Sequence, residues 1–280
     1  MKKIKFGIAG LGRMGSIHLE NLANKFNDIE LVAISDINPN IKELAEKYSV
    51  PNFYTNYQDL VNNKDIDAVV ICSPTNFHAD HIMMAAKSGK EIFCEKPMDL
   101  SLDTVSKVIK TIDEADINLF LAFNRRFDPN FKRVKEIVSN GNIGEIQIIK
   151  ITSRDPSPPP ISYIKTSGGL FLDMSIHDFD MARFISGKEI VEVDAKGVVF
   201  NDVEIEKNGD IDTAVITLTL ENNAMVVIDN SRKAAYGYDQ RIEVFGSKGM
   251  CGSDNKLHDN FYLFDKKGSQ GSLPMDFFMD

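Results

Sequence analysis

Three glycines near the start of the chain constrain its fold more than any other feature. Gly10, Gly12 and Gly15 have the spacing G-x-G-x-x-G and directly follow the apolar run of residues 4–9. In a dinucleotide-binding unit the first glycine permits a tight turn, the second lets the backbone approach a pyrophosphate, and the third lets the next helix pack closely on the strand. The spacing therefore predicts a strand, a phosphate-binding turn and a helix.

A carboxylate follows the second apolar run at the distance that such a unit requires. Asp36 comes directly after residues 30–35, about 20 residues beyond the glycine turn. It can accept hydrogen bonds from ribose hydroxyls and would repel the additional phosphate of NADP. Ile37 and Asn38 offer no cation for that phosphate, and Arg13 is better placed for the pyrophosphate or solvent. A glycine turn alone is a weak signal, but together with this acid it predicts NAD as the cofactor.

Up to residue 122, short apolar runs alternate with longer amphipathic segments, which is typical of βαβ units and a parallel sheet. Strands are predicted at residues 4–9, 30–35, 68–72, 92–94 and 119–122. Helices are predicted at residues 15–26, 41–48, 81–88 and 103–115, with Ser101 as the N-cap of the last and Gly89 at the C-terminal end of the third. We therefore expect an α/β fold that begins with an NAD-binding Rossmann domain over residues 1–122.

After residue 122 the pattern changes to that of an α+β domain, expected over residues 123–280. Helices are predicted at 131–138 and 168–185, strands at 145–153, 190–200, 213–220, 224–230 and 241–245, and a proline-rich loop at 155–160. The strand at 213–220 has one face of Ala, Ile and Leu and an opposite face that mixes Thr with Val. These runs predict a mainly antiparallel open sheet, whose mixed face could cover a helix or make a subunit contact.

Composition excludes several classes of protein. The net charge of −9 and the pI near 5.1 argue against a nucleic-acid partner, which needs a concentrated positive face. The three cysteines form no CxxC pair, so the sequence suggests neither a disulfide framework nor a zinc site. The chain has no apolar run long enough to span a bilayer and no signal-peptide cleavage site. We expect a cytoplasmic protein with no membrane partner.

Two clusters of residues could carry a reaction. Glu95-Lys96-Pro97 follows the strand at 92–94, and ligands gather at the carboxyl ends of strands in open α/β sheets. The alternative for Lys96 is a surface lysine in a turn. Farther along, Asp173 and His177 are four residues apart and would share one helical face.

An imidazole beside a carboxylate can accept a proton from an alcohol near neutral pH, which is what hydride removal from that carbon needs. The second cluster could equally be a helix with incidental polar residues. A metal site formed by Asp173, His177 and Asp180 is a third reading, but no other ligand cluster supports it.

Three motifs together indicate a family: the glycine turn, Glu95-Lys96-Pro97, and the segment Gly168-Gly169 to Asp173 and His177-Asp178. Over essentially its whole length the chain resembles the Gfo/Idh/MocA family of NAD(P)-dependent oxidoreductases. Segments 123–129, 153–156 and 235–241 make it most similar to the inositol 2-dehydrogenases of that family.

The resemblance implies a polyol dehydrogenase that acts on a CH–OH group and oxidises a cyclitol with NAD, with myo-inositol giving 2-keto-myo-inositol. A dehydrogenase of scyllo-inositol or glucose, or an NAD-binding sensor without catalysis, is the alternative. The resemblance further implies a catalytic set in which His177 is the base, Lys96 holds substrate hydroxyls and Asp173 orients the histidine. A homotetramer assembled through the C-terminal sheet is also implied.

The other expected site residues are as follows. Cofactor-binding residues are Gly10, Gly12, Arg13, Met14, Gly15, Asp36, Ser73, Asn76, His78, Glu95 and Lys96. Substrate-binding residues are Lys96, Arg126, Asp155, Asp173, His177 and Tyr236. Asn76 and His78 could equally be structural loop residues, and His18, His81 and His258 are expected to be surface or structural residues. Family members continue beyond a segment like 273–280, so we expect the second domain to lack its usual C-terminal helical segment, with 276–280 as a helix barely begun.

Overall fold

The computed structural model describes residues 3–255 and, by their backbone alone, two further strands at 262–265 and 268–271. Contacts divide the chain into two compact units, residues 1–123 and 124–280. The expectations for His258 and for a helix at 276–280 lie outside the described residues. Within the described residues, no helix combines the length and the hydropathy needed to cross a membrane.

A parallel sheet lies at the centre of the first unit, in the strand order β3-β2-β1-β4-β5-β6. Its strands are β1 (Ile4–Ala9), β2 (Ile29–Ser35), β3 (Asn52–Tyr54), β4 (Ala68–Ile71), β5 (Glu91–Cys94) and β6 (Leu119–Leu121). Its helices are α1 (Arg13–Asn24), α2 (Ile41–Lys47), α3 (Tyr57–Asn62), α4 (His78–Lys87) and α5 (Leu102–Ala115). The chain runs outward from β1 to β3 and then returns to β4, so the strand order reverses between β1 and β4. The predicted Rossmann fold is confirmed, and the crevice it offers a ligand lies at the carboxyl ends of β1 and β4.

The strands of the first unit are short apolar runs because helices cover both faces of the sheet. All four residues of β4 are buried. Ser101 caps α5 as predicted, accepting a hydrogen bond from the backbone of Thr104. The short elements β3 and α3 were not predicted, since three to six residues are too few to show a period.

A mixed sheet forms the second unit, in the order β12-β11-β7-β10-β9-β8. Its strands are β7 (Ile146–Arg154), β8 (Ile190–Val198), β9 (Thr213–Leu220), β10 (Met225–Ser231), β11 (Asp239–Gly246) and β12 (Gly249–Ser253). The strands β13 (Tyr262–Asp265) and β14 (Gly268–Gly271) pair with each other. Helices of this unit are α6 (Pro129–Ser139), α7 (Ile161–Ser167), α8 (Ile176–Ser186) and α9 (Val203–Lys207). Only β7 and β10 pair in parallel among the neighbours of the six-stranded sheet, so the predicted mainly antiparallel sheet is confirmed.

The inner face of this sheet packs on helices. Ala214, Ile216 and Leu218 of β9 are buried in a cluster that includes Phe131 of α6 and Met181 of α8. The opposite face of β9, which mixes Thr with Val, is half-buried to exposed, and its predicted subunit contact stays a prediction.

The helix predicted over residues 168–185 is confirmed from residue 169 onward, with a π-helical segment inside it. Gly168 ends α7 with a φ of 84°, and the next helical run begins at Gly169, whose φ is 78°. A single π-helical segment, Phe171–Ser175, then leads into α8. Asp173 therefore lies on a wider turn than an α-helix provides, directly before the helix that carries His177.

Candidate active site

The glycine turn of the first unit leaves room for an anion. Gly10 has a φ of 83°, and a Cβ there would come within 2.5 Å of the backbone of Cys72 at the end of β4. A Cβ on Gly15 would lie 1.8 Å from the carbonyl oxygen of Gly10, whereas a Cβ on Gly12 would meet nothing within 4 Å. Gly12 is also the N-cap of α1 and offers no side chain to its first N–H groups. Gly10 and Gly15 thus permit the tight turn, and Gly12 leaves open space beside the backbone, which a pyrophosphate requires.

Asp36 is fixed against this turn. Its Oδ2 accepts a hydrogen bond from the backbone N–H of Leu11 in the turn, and its Oδ1 accepts one from Asn38 at 2.8 Å. The carboxylate is therefore oriented at the end of β2 before any ligand binds. The open glycine turn and the oriented acid fit a dinucleotide, whose pyrophosphate and adenosine ribose they would hold.

The turns after β4 and β5 are joined through a buried histidine. His78 is buried, and its two ring nitrogens each lie 2.7 Å from a carbonyl oxygen, Nδ1 from that of Pro97 and Nε2 from that of Ser73. Asn76 is exposed in the 3-10 turn that precedes α4. The contacts of His78 are those of a residue that holds two loops together, while the predicted cofactor contacts of Ser73, Asn76 and His78 stay predictions.

His18, which was expected to be a surface or structural residue, contacts Glu95, one of the predicted cofactor-binding residues. His18 of α1 has its Nε2 2.8 Å from Oε1 of Glu95, and its ring packs edge-on against Phe93. Glu95 directly precedes Lys96 at the end of β5. The available signal was the position of His18, three residues after the last glycine of the turn and one helical turn into α1.

His81 behaves as a structural residue. Its ring stacks on Tyr57 with centroids 3.9 Å apart, and its Nδ1 lies 3.0 Å from the hydroxyl of Ser73. Burial, followed by the influence of His78, lowers the pKa of His81 to about 4. The ring is therefore neutral near pH 7.

In the second unit, the parallel pairing of the central strands β7 and β10 brings together two charged residues at the carboxyl ends of these strands. Asp155 directly follows β7, and Arg232 directly follows β10. The backbone N–H of Asp155 donates to the carbonyl of Ser231 at 2.9 Å, which continues the pairing of the two strands. Burial raises the pKa of Asp155 to about 6, while the nearby guanidinium groups of Arg125 and Arg232 act in the opposite direction.

Replacing Asp155 with asparagine is expected to change how stability depends on pH. Because the pKa of Asp155 is raised, the folded chain keeps a proton between about pH 4 and pH 6 that the unfolded chain has released. The free energy of unfolding of the parent chain therefore falls as the pH rises through this window, and Asp155→Asn removes that fall. From about pH 4 to about pH 7.5 the variant should gain on the order of 2 kcal/mol over the parent, measured by urea unfolding. Asp194→Asn, at an exposed position of β8, is the matched control. A gain at Asp155 no larger than that at Asp194 would contradict the prediction.

Asp173 is held from two sides. Its Oδ1 accepts a hydrogen bond from the hydroxyl of Tyr163 at 2.8 Å, and its Oδ2 accepts one from Nη1 of Arg232 at 3.1 Å. Sequence reasoning predicted neither partner. The carboxylate is thereby oriented, while its predicted role in the reaction stays a prediction.

His177 is half-buried in the first turn of α8, next to a fully buried ion pair. Asp178 is inaccessible to solvent, and it accepts hydrogen bonds from the guanidinium of Arg125 and from the amide of Asn230. Arg125 also donates to the hydroxyl of Ser153 on β7. This network ties the start of α8 to the sheet and so fixes the helix that carries His177.

Arg126 and Tyr236 lie in other clusters of the second unit. Arg126 binds both carboxylate oxygens of Asp180 through Nε, at 3.1 and 2.9 Å. The hydroxyl of Tyr236 donates to Asp239 at 2.7 Å and accepts from Arg154 at 2.9 Å. Their contacts with substrate stay predictions.

The pairing of Asp180 with Arg126 also bears on the metal reading. A guanidinium that occupies both oxygens of Asp180 competes with any cation for that ligand. Among the residues that the structure describes, no group of three or more His, Cys, Asp or Glu side chains is arranged to hold a metal ion.

Comparisons with known proteins extend over both units. Residues 4–123 match the family described as "Oxidoreductase family, NAD-binding Rossmann fold", and residues 131–251 match the "GFO/IDH/MocA C-terminal domain". The myo-inositol 2-dehydrogenase of Thermotoga maritima is 50% identical over 99% of this chain and 83% of its own length.

Two solved structures have the same fold. A myo-inositol dehydrogenase from Corynebacterium glutamicum is 38% identical, with a TM-score of 0.92 over 99% of this chain and 83% of its own. A scyllo-inositol dehydrogenase from Lactobacillus casei, solved with NAD(H) and scyllo-inositol, is 35% identical, with a TM-score of 0.88 over 96% of this chain and 82% of its own. The open glycine turn, the oriented Asp36 and these matches agree, and the chain belongs to the Gfo/Idh/MocA family of NAD-binding oxidoreductases.

Proposed function

We propose that this chain oxidises one hydroxyl of a cyclitol to a ketone with NAD, with myo-inositol giving 2-keto-myo-inositol. The observation that carries the proposal is the anchored Asp173 just ahead of His177, in a chain half identical to a protein named myo-inositol 2-dehydrogenase. A cyclitol has no charge to anchor, so its recognition depends on a few well-placed donors and acceptors. Lysine, aspartate, histidine and tyrosine side chains supply them.

NAD, when bound, accepts the hydride that leaves the carbon. His177 is the general base and takes the proton of the hydroxyl that is oxidised, since an imidazole accepts a proton near neutral pH. Lys96 donates to substrate hydroxyls and stabilises the negative charge that develops on the oxygen. Asp173 orients the imidazole, and its own orientation is set by Tyr163 and Arg232. Asp155, Arg126 and Tyr236 complete the substrate contacts in this proposal.

In this proposal the two units bind different ligands. The first binds NAD, and Asp36 favours NAD over NADP because its carboxylate, already bonded to the glycine turn, would repel a ribose phosphate. The second binds the polyol and forms the subunit contacts.

The outer face of the second sheet supports a homotetramer. Exposed apolar side chains lie there on four strands: Val215, Met225, Val227, Phe245 and Met250. Exposed apolar side chains gathered on one face of a sheet favour a protein interface, and a second copy of the chain is the partner we propose. Sedimentation velocity of the purified chain checks this assembly. Cys72, Cys94 and Cys251 are all free thiols, which supports a reducing, cytoplasmic location.

A second polyol has a specific observation in its favour. The Lactobacillus casei neighbour was solved with scyllo-inositol, and a scyllo-inositol 2-dehydrogenase of Bacillus subtilis is 33% identical over 98% of this chain. The two inositols differ only in the orientation of one hydroxyl, so the same set of side chains could accept either. A direct comparison of rates separates them.

A panel of polyols with NAD and NADP side by side tests the proposal. We expect the highest kcat/KM for NADH formation with myo-inositol and NAD, and a value about tenfold or more lower with NADP, because Asp36 repels the phosphate. A higher kcat/KM with NADP would contradict the role of Asp36. A higher value with scyllo-inositol or glucose would replace myo-inositol in the proposal. NAD binding without turnover of any polyol would favour a sensor.

A further inference from the structure

A buried arginine lies at the carboxyl end of β10, a central strand of the second unit's sheet. Arg232 is only 1% exposed and directly follows β10, beside Asp155 at the end of the parallel strand β7. Side chains alternate along a strand, and Ser231 lies on the outer face, so Arg232 points to the inner face. Its backbone N–H donates to the carbonyl of Asp212 at 2.7 Å, which fixes the start of its side chain.

The guanidinium of Arg232 bridges two carboxylates. Nη1 donates to Oδ2 of Asp173 at 3.1 Å, and Nη2 donates to Oδ2 of Asp210 at 3.4 Å. A buried cation is costly unless it is paired and hydrogen-bonded, and these two acids supply the pairing. The planar fork of arginine suits such a bridge, whereas a lysine ammonium acts as a point charge.

Asp210 extends the bridge to the segment before Asp173. Its Oδ1 accepts a hydrogen bond from the backbone N–H of Leu170 at 2.9 Å. A Cβ on Gly169 would come within 2.7 Å of the same oxygen, so the backbone passes very close to this carboxylate. Arg232 thus holds the π-helical segment both at Asp173 and, through Asp210, at its start.

We propose that Arg232 is a positioning residue of the oxidation reaction, which acts by fixing the Asp173 carboxylate through a buried two-carboxylate bridge. The inference rests on the proposed function, since it concerns the same site. If Arg232 served stability alone, its replacement would lower the melting temperature, and its effect on kcat would not depend on Asp173. If it acts through Asp173, the two residues form one unit, and their effects on kcat are not additive.

The test is a double-mutant cycle on the full chain. Arg232→Lys and Asp173→Asn are made singly and together, and kcat and KM are measured with myo-inositol and NAD. Arg183→Lys is the matched control, because Arg183 forms an exposed ion pair with Glu189 in the same unit. Circular dichroism and melting temperature report folding of each variant.

Arg232→Lys should lower kcat about tenfold or more, with KM for NAD within about twofold of the parent value. In the Asp173→Asn background the same change should lower kcat less than about threefold, and Arg183→Lys should leave it within about twofold. A kcat for Arg232→Lys within twofold of the parent value, or equal losses in both backgrounds, would overturn the proposal.

Asp210→Asn decides the matter if Arg232→Lys does not fold. It should lower kcat about threefold in the parent chain and have no effect with Asp173→Asn, because Arg232 loses one arm of its bridge. Equal effects in both backgrounds would overturn the proposed role of Arg232 but not the proposed function. A parent chain that turns over no polyol would instead overturn the proposed function and, with it, this inference.

Discussion

Replacing His177 with alanine is expected to lower kcat for cyclitol oxidation by a factor of about 10² to 10⁴, the usual contribution of a positioned general base. Alanine leaves no proton acceptor at this position of α8. KM for the cyclitol and Kd for NAD should change by less than about threefold, because the lost interaction forms in the transition state. Steady-state NADH formation gives the kinetic constants, and calorimetric titration gives NAD affinity.

The pH profile distinguishes a lost base from a damaged site. With His177→Ala, kcat/KM should lose the decline at low pH that titration of the base causes, and should rise with hydroxide concentration. Asp173→Asn retains the imidazole and should retain that decline. Near-native turnover of His177→Ala with bound NAD would remove His177 from the reaction.

The cofactor half of the site could be predicted because it is local in sequence. Gly10, Gly12 and Gly15 lie within six residues of one another, and each answers a steric requirement of the turn. Asp36 follows at the end of the next strand, and its carboxylate accepts from Leu11 in the turn itself. Short-range geometry and the order of parallel strands were enough to bring these residues together.

The supports of the second cluster depend on strand pairing, which the sequence does not display. Asp155 and Arg232 are neighbours only because β7 and β10 pair in parallel across seven residues of each strand. The sequence predicted the two strands but gave no sign of their direction relative to each other. Arg232 was therefore missed, although it is a buried partner of Asp173.

The π turn inside the predicted helix over 168–185 was missed for a different reason. Gly168 was taken as the first residue of that helix, whereas its left-handed backbone ends α7. The apolar spacing that follows fits a π turn as well as an α turn, because five residues are too few to distinguish the two periods. The prediction that Asp173 and His177 share one helical face thus assumed α-helical spacing over a segment that is partly π-helical.

Arg125→Met is expected to reduce the free energy of unfolding by about 3–5 kcal/mol, because it leaves the Asp178 carboxylate buried without its cation. Burial raises the pKa of Asp178, and Arg125 is the largest influence that opposes this rise. Without Arg125 the pKa rises further, so the folded variant binds a proton at a higher pH. The loss in free energy of unfolding should therefore be smaller near pH 5 than near pH 8. Near pH 8 the folded variant must either keep the Asp178 charge buried or bind a proton at a cost in free energy. Urea unfolding at the two pH values measures the difference.

A second substitution separates the uncompensated charge from lost packing. Arg125→Met with Asp178→Asn removes the buried charge, while the new amide oxygen can still accept from Asn230. We expect the double variant to be more stable than Arg125→Met alone near pH 8, although each single change removes a native contact. Arg133→Met, at an exposed ion pair with Glu136, should cost no more than about 1 kcal/mol. A double variant less stable than Arg125→Met would assign the cost to packing and hydrogen bonds, since removing the charge would then have restored nothing.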